Sequence, residues 1–192
     1  YDTKETASVC SRDAMVRPTD TYIFSGGRSE RDYKTLIEAI SELNVRAVIN
    51  TRPYILRSTS APWIEVNDLM PPDRYRQTLA NAAIVILPLR KVQHAVGLSV
   101  ILDSMAAGRP LVCSDLPVLK EYVAHGETGL LVPPGNVDAM RAAIRYLLDH
   151  SAEAEAMGKA ARQRFEERYT FAGFARRAHN ILLEVAKQVE QS

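Results

Sequence analysis

Two kinds of hydrophobic pattern alternate along the chain. Short runs of consecutive apolar residues recur, and between them the apolar positions repeat every three or four residues. The first pattern indicates buried β-strands, and the second indicates amphipathic helices. The predicted strands are TYIFS (21–25), VRAVI (45–49), WIEV (63–66), AIVILPL (83–89), PLVCSD (110–115) and GLLVPP (129–134).

Predicted helices fill the intervals between these strands. Asp32 and Asn136 are good N-cap residues, and the prolines at 71 and 72 suit a helix N-terminus. The helices are expected over 33–43, 71–82, 97–108, 117–124 and 136–150, with two more in the tail. Apolar strands separated by helices predict parallel strands that are covered on both faces. The fold class is therefore α/β, with a doubly wound, Rossmann-like parallel sheet.

This fold class predicts where a ligand would bind. In doubly wound sheets, ligands lie beyond the carboxyl ends of the strands, where helix N-termini point. The loops at 26–32, 90–97 and 114–117 each follow a predicted strand. We therefore expect these three loops to share one edge of the sheet.

Composition narrows the class of protein. The chain has 192 residues, 46% of them hydrophobic and 24% charged, with a formal net charge of +1. This fits a soluble domain with a sizeable core and gives no electrostatic reason to expect nucleic acid as the partner. No apolar run reaches the ~18–20 residues of a transmembrane helix. Two cysteines, Cys10 and Cys113, suit a reducing compartment, so a cytoplasmic location is expected.

The stretch SGGRSERDY is the first candidate for chemistry. Gly26 and Gly27 follow a strand, so the backbone there could approach a ligand closely, and the next helix start offers free N–H groups. Arg28 and Arg31 flank this turn, and guanidinium groups match phosphate oxygens. The alternative is a tight turn with solvated arginines and Asp32 as a helix cap. Neither GxGxxG nor a P-loop motif is present.

A second candidate begins at Gly97. The Gly97-Leu98-Ser99 backbone opens a helix directly after a strand, which is another arrangement suited to an anion. Asp103 lies inside that helix among apolar residues. It is either a solvated surface acid or an acceptor for ribose hydroxyls at the rim of a nucleotide pocket.

These residues carry a family resemblance. The stretch from GLSVILDSMAAGRPLVCSD to GETGLLVPPGNVDAMRAAIRYLL (97–148) is similar to the nucleotide-sugar-binding half of GT-B glycosyltransferases, in particular retaining family 4. FSGGRSERDYKTLIEA (24–39) resembles an earlier arginine- and lysine-containing segment of that family. The resemblance covers about 21–150 and implies one half of a two-domain GT-B fold.

The resemblance implies a role for each candidate residue. Arg28 would neutralise the donor diphosphate beside Gly27, and Arg31 would replace a family lysine, with Lys34 as the alternative. The backbone amides at the start of the second helix would face the distal phosphate and the donor sugar. These amides belong to Gly97, Leu98 and Ser99.

The nucleoside and sugar contacts also follow from the resemblance. Asp103 would hold the ribose in place of the second glutamate of a motif whose acids are eight residues apart. Ala95 stands where the first acid belongs, so His94 or Ala95 is the candidate contact to the donor sugar. Asn67 and Leu69 match the place of base contacts. Uridine, guanosine and adenosine donors remain open, as do the sugar, the acceptor and the stereochemical outcome.

The resulting hypothesis is the donor-binding domain of a metal-independent glycosyltransferase of the hexosyltransferase kind. A nucleotide-diphosphate sugar would be its substrate, and no cofactor is expected. No metal-ligand spacing occurs, and no catalytic nucleophile stands out. The alternatives are a non-catalytic nucleotide-sugar-binding or regulatory module, and a sugar-nucleotide epimerase of the same fold.

The expected organisation has three parts: a polar lead (1–20), the donor-binding domain (21–150) and C-terminal helices (151–192). The resemblance implies an N-terminal acceptor domain elsewhere, in the same polypeptide or a partner chain. The isolated domain would then be inactive, and the missing half could attach it to a membrane. An apolar stripe in the tail is expected to pack in the core, with exposure as the alternative; it comprises Phe171, Phe174, Ala178, Ile181, Leu182, Val185 and Val189. Gly126 to Gly129 form either a simple turn or a secondary contact to the donor.

Overall fold

The computed structural model describes residues 21–43, 45–56 and 61–190, so the predicted lead and Cys10 lie outside the described residues. Six strands form one sheet in the order β3-β2-β1-β4-β5-β6, and every neighbouring pair is parallel. The strands are β1 (Tyr22–Gly26), β2 (Arg46–Asn50), β3 (Ile64–Asn67), β4 (Ile84–Leu87), β5 (Leu111–Ser114) and β6 (Leu130–Val132). The predicted fold class is confirmed.

Six α-helices connect and follow the strands. They are α1 (Tyr33–Ile40), α2 (Pro72–Asn81), α3 (Leu98–Ala106), α4 (Val137–Asp149), α5 (Ser151–Arg168) and α6 (Phe171–Glu190). The predicted caps are present, because the Asp32 carboxylate accepts from Thr35 N at 3.2 Å and Asn136 Oδ1 accepts from Ala139 N at 2.9 Å. These side chains satisfy backbone donors that a helix start leaves without partners.

The prediction of an α-helix at 117–124 is wrong, because the segment forms a short 3₁₀ turn instead. The segment is a five-residue 3₁₀ turn, Pro117–Glu121, with i→i+3 bonds such as Tyr122 N to Leu119 O at 3.0 Å. The chain must return quickly to begin β6, and Val123 is buried directly after the turn. A tight turn of this length satisfies both demands, whereas a longer α-helix would carry the chain past this point.

Hydrophobic side chains cover both faces of the sheet. Along β4, Ile84 and Ile86 pack against α1 and α4, whereas Val85 and Leu87 pack with residues of α2 and α3. This alternation follows from the two-residue period of a strand. Cys113 lies fully buried on the face of the sheet that α2 and α3 cover, and burial raises the pKa of its thiol.

The tail stripe does not pack in the core of this chain. Phe171, Phe174 and Leu182 on α6 have exposed fractions of 77%, 61% and 68%, and Ile181 is also exposed. The expectation of core packing is therefore wrong for these residues. The hydrogen bonds that tie α6 to the end of α5 come from Gly173 and Arg177, in its first two turns. Val185 and Val189 lie where side chains are not described. Among the described residues, no helix has the length and apolar character needed to cross a membrane.

Candidate functional site

The sheet has one point where its connections change direction. β1 and β4 are neighbours, but the chain leaves β1 towards β2 and leaves β4 towards β5. Helices then diverge to opposite faces and leave a crevice beyond the carboxyl ends of these two strands. The glycine loop after β1 and the loop from Pro88 to Gly97 after β4 flank this crevice.

Backbone hydrogen bonds join these two loops. Asp32 N donates to Pro88 O at 2.9 Å, and Arg90 N donates to Glu30 O at 2.9 Å. Between them, residues 31 and 89 form an isolated antiparallel bridge. The two predicted ligand loops are therefore held together as one unit.

The third loop is tied to the same unit by a buried hydroxyl. Ser114, the last residue of β5, accepts a hydrogen bond from Leu89 N at 2.8 Å and donates one to Leu89 O at 2.9 Å. Ser114 is only 1% exposed. The structure thus brings together all three loops that the sequence placed at one edge.

Arg31 lies beneath the glycine loop. Its side chain is 7% exposed, and it donates from Nε to Gly26 O at 2.9 Å and from Nη1 to Ser29 O at 2.8 Å. Burial lowers the pKa of this guanidinium, while the neighbouring Tyr33 and Tyr75 raise it. No carboxylate of the described residues forms an ion pair with it. Two backbone carbonyls therefore stabilise this buried charge without an acidic neighbour.

Tyr33 completes the support of the loop from below. Its hydroxyl donates to Gly27 O at 2.6 Å, and burial raises the pKa of this phenol. The loop carbonyls of Gly26, Gly27 and Ser29 thus point towards buried donors. Because N–H and C=O point in opposite directions in a trans peptide, the N–H groups of Arg28 and Glu30 point away from those donors.

The loop conformation requires glycine at position 27. Gly27 has φ +114°, and a Cβ there would lie 2.3 Å from Arg31 Nη2. Close contact between backbone and guanidinium is therefore possible only without a side chain. The Arg28 side chain, in the same loop, is exposed.

The start of α3 forms the opposite wall. Gly97 caps the helix with φ 76° and no side-chain hydrogen bond, and the first intrahelical bond runs from Ile101 N to Gly97 O at 3.2 Å. The amides of Leu98 and Ser99 belong to the first turn, where no intrahelical carbonyl is available to them. The helix dipole adds partial positive charge at this end.

Asp103 lies one turn further along α3. It is four residues after Ser99, so the two side chains share one face of the helix. Asp103 is partly buried, whereas Val100 and Ile101 face the core. His94 and Ala95 lie exposed in the loop that leads to Gly97.

The candidate base residues lie at the carboxyl end of β3. The Asn67 amide donates to Glu65 Oε1 at 2.9 Å, and this bond, together with Arg46, lowers the pKa of the Glu65 carboxyl. Leu69 is 50% exposed and has φ 41°. Of the two residues, Leu69 therefore presents its side chain to solvent, while the amide of Asn67 has a partner along its own strand.

Three supporting residues were missed by sequence reasoning. They are Tyr33, Asn50 and Ser114, and each side chain hydrogen-bonds to the backbone of a site loop. A signal was available for the last two, because Asn50 ends the apolar run RAVIN and Ser114 ends LVCS. Polar residues at the carboxyl ends of buried parallel strands lie at the ligand edge of such a sheet.

The turn at Gly126 to Gly129 lies at the other edge of the sheet. It directly precedes β6, so it belongs with the amino ends of the parallel strands. The buried Thr128 Oγ1 accepts from Ala124 N at 2.9 Å and so closes the turn. Both observations support the interpretation of this segment as a simple turn before a strand.

A cavity of ≈ 470 Å³ also opens at the amino-end edge. Its lining includes Thr21, Ala83 and Pro110, which directly precede β1, β4 and β5. It is therefore separate from the crevice between the loops. Across the part of the chain that the structure describes, no group of three His, Cys, Asp or Glu side chains could hold a metal ion.

Comparison with known proteins identifies the family. A family model described as glycosyl transferases group 1 matches residues 68–164, which is half of the 192 residues. The chain belongs to the glycosyl transferases group 1 family. The matched region contains α3 and Asp103, whereas the glycine loop with Arg28 and Arg31 precedes it.

Individual relatives of this group 1 domain agree with the assignment. D-rhamnosyltransferase WbpZ of Pseudomonas aeruginosa is 36% identical over 87 residues, which are 45% of this chain and 23% of that protein. Sucrose-phosphate synthase from Thermosynechococcus elongatus matches with a TM-score of 0.72 and 20% identity, covering 90% of this chain and 47% of that one. Anabaena HepE in complex with UDP-glucose has a TM-score of 0.70 and 16% identity, covering 94% and 51%. The group 1 domain thus spans about half of these solved chains, and it shares their fold.

Proposed function

We propose that this group 1 domain binds the diphosphate of a nucleotide-sugar donor in the crevice between β1 and β4. The observation that carries the proposal is the buried Arg31, whose charge has no acidic partner among the described residues. Burying a cation without an opposite charge is costly. A diphosphate in the crevice would supply the missing charge.

Other groups of the crevice would contribute to the same anion site. Arg28 adds an exposed guanidinium that can reach phosphate oxygens, and the α3 N-terminus adds the amides of Leu98 and Ser99. Glycine at 27 and 97 allows close approach of the backbone. In this proposal, the positive charge of one loop and the amides of the other act on the same diphosphate.

The remaining candidates would contact the nucleoside and the sugar. Asp103 accepts hydrogen bonds from the ribose hydroxyls, since a carboxylate is an acceptor at neutral pH. Leu69 and Asn67 lie on the side of the base, and His94 or Ala95 on the side of the donor sugar. That HepE was crystallised with UDP-glucose supports a nucleotide sugar as the ligand.

We further propose that the whole enzyme transfers the sugar without a metal, as a family 4 member in the cytoplasm. Its donor half would comprise 21–150, followed by C-terminal helices, with 1–20 leading in from an acceptor domain. Negative charge that develops on the departing nucleoside diphosphate would be stabilised by Arg28, Arg31 and the α3 amides. The relatives' names, which include a rhamnosyltransferase, support transferase chemistry.

Calorimetric titration with UDP, GDP and ADP in the presence of a chelator tests the donor site. Arg28→Ala is the informative variant, because its exposed side chain supports no part of the fold. We expect affinity to fall by about 10- to 150-fold, since a charge-assisted hydrogen bond contributes about 1.5–3 kcal/mol. Arg145→Ala, an equally exposed arginine on α4, is the matched control and should bind normally. Equal affinity in both variants would contradict the diphosphate site.

Catalysis needs a separate test. Donor turnover by a protein that also contains an acceptor domain would support the transferase. Donor binding with neither transfer nor donor hydrolysis would instead favour a regulatory binding module.

A further inference from the structure

Asn50, the last residue of β2, is hydrogen-bonded to the loops on both sides. Its backbone carbonyl accepts from Gly27 N at 3.0 Å, within the glycine loop after β1. Its side-chain Oδ1 accepts from Met70 N at 3.0 Å, in the turn after β3. The diphosphate loop and the candidate nucleoside turn are therefore linked through a single partly buried residue.

The turn after β3 holds an unusual backbone conformation. Leu69 has φ 41°, in the left-handed region, although it is neither glycine nor asparagine. This conformation costs roughly 1–2 kcal/mol for a residue with a Cβ, and it persists only where neighbouring contacts impose it. The strain has no evident packing benefit, since half of the Leu69 side chain is exposed.

The contacts that impose this conformation come from the end of β2. Thr51 N donates to Asn67 O at 3.0 Å on one side of the turn, and Asn50 holds Met70 N on the other. Asp68 and Leu69 are clamped between these two bonds. The first bond belongs to the backbone and forms with any residue, so the side chain of Asn50 is the replaceable part of the clamp.

We propose that Asn50 is a positioning residue that fixes Leu69 as an apolar platform for the nucleoside of the donor. This inference rests on the proposed donor-binding function and deepens it. Asn50 acts through Met70 and Leu69, and its own side chain does not contact the nucleotide. Its side chain therefore affects recognition of the nucleoside, while the diphosphate site retains its own contacts.

Comparing nucleoside diphosphates with inorganic pyrophosphate separates the two ends of the site. The probes are UDP, GDP and ADP by calorimetry, and pyrophosphate by displacement of whichever nucleotide binds best. Asn50→Ala should weaken that nucleotide about ten-fold and leave pyrophosphate within about two-fold, because only the nucleoside contact is lost. Leu69→Gly, which relieves the strain but removes the platform, should give the same selective loss with no loss of thermal stability.

Two more variants test whether the hydrogen bond itself matters. Asn50→Asp keeps an acceptor for Met70 N, so the ratio of nucleotide to pyrophosphate affinity should return to the wild-type value. The ratio is the proper readout, since an added negative charge would weaken both ligands. Asn81→Ala, an exposed asparagine at the end of α2, is the matched control and should leave the ratio unchanged.

The outcomes distinguish this inference from the proposed function. Equal weakening of nucleotide and pyrophosphate by Asn50→Ala, or weakening of neither, would overturn the role of Asn50 while the donor site stands. A ratio that Asn50→Asp fails to restore would overturn it as well. If the wild-type chain binds neither a nucleotide nor pyrophosphate, the donor site itself is wrong, and the role of Asn50 falls with it.

Discussion

Gly97 meets two structural demands at the point where β4 passes into α3. Its φ is +76°, and a Cβ at this position would lie 2.9 Å from Leu87 Cδ2. Gly97→Ala should therefore be destabilised by backbone strain and by a clash with a fully buried leucine. We expect a loss of about 2–4 kcal/mol in the free energy of unfolding, measured by urea denaturation.

Gly135→Ala separates the two contributions to that loss. Gly135 has nearly the same φ, +73°, but nothing lies within 4 Å of a Cβ placed there. Its replacement should cost about 1 kcal/mol, the strain alone. Equal losses at both positions would show that the contact with Leu87 is unimportant. Nucleotide affinity should fall only for Gly97→Ala, because that position opens the helix whose N-terminus we propose to bind the diphosphate.

For single residues, the sequence identified candidate site residues but did not predict how deeply each one is buried. Paired glycines and arginines after a strand were enough to select Gly27, Arg28 and Arg31 as candidates. Their different exposure could not be predicted, because Arg31 is buried by contacts with Gly26 and Ser29 that depend on the loop conformation. Periodicity describes regular elements and carries no information about the path of a loop.

At the scale of elements, one arginine connects α4 to α1, two helices that pack on the same face of the sheet. Arg141 donates from Nε to Ala39 O and from Nη2 to Glu38 O, both at 3.2 Å, at the C-terminal end of α1. It also pairs with Asp138 and Glu42, and its side chain is 18% exposed. The carbonyls at the end of a helix lack intrahelical partners, so this side chain caps α1 from a neighbouring element.

Arg141→Met should lower the free energy of unfolding by about 1–2 kcal/mol, because two hydrogen bonds to carbonyls are lost while the aliphatic packing is kept. Urea denaturation measures the effect. Arg145→Met, on the same helix but exposed, should change stability by less than about 0.5 kcal/mol. Nucleotide affinity should be unaffected in both variants. A similar loss for the two would mean that helix propensity, and not the cap, explains the result.

Elements were predicted well where their pattern was local. Continuous apolar runs such as residues 84–87 identified the strands, and the parallel arrangement followed from the intervening helices. The 3₁₀ turn was missed, since an apolar segment of five to eight residues fits either kind of helix. The ends of the apolar runs marked the positions of Asn50 and Ser114, but their bonding partners could not be predicted, because these lie 20 and 25 residues away in the sequence. Side-chain bonds across that separation leave no periodic signal.

On the scale of the whole molecule, the cross-linked loops contrast with the exposed last helix. The three loops of the crevice are joined by hydrogen bonds at the carboxyl edge, and α6 follows α5 in the described part of the chain. Gly173 packs against Glu167 O at the start of α6, and Thr170 Oγ1 accepts from Gly173 N at 3.0 Å. Further along the described part of this helix, Ile181 and Leu182 are exposed, while Ala178 is partly buried.

The exposed apolar residues of α6 predict concentration-dependent self-association of the chain. Contiguous exposed apolar surface favours association, and the exposed residues Phe174, Ile181 and Leu182 lie on one side of α6. Sedimentation velocity should show an increase in average sedimentation coefficient from micromolar to submillimolar protein.

The double variant Phe174→Gln with Leu182→Gln should remain monomeric and retain wild-type nucleotide affinity, because neither residue belongs to the loops of the crevice. Arg176→Gln with Glu184→Gln is the matched control, with the same spacing on the polar face and no change in net charge. This control should associate like the wild type. A monomeric wild-type chain, or equal suppression by both double variants, would show that the apolar stripe does not drive association. Loss of nucleotide binding together with loss of association would instead indicate that a partner copy contributes to the site.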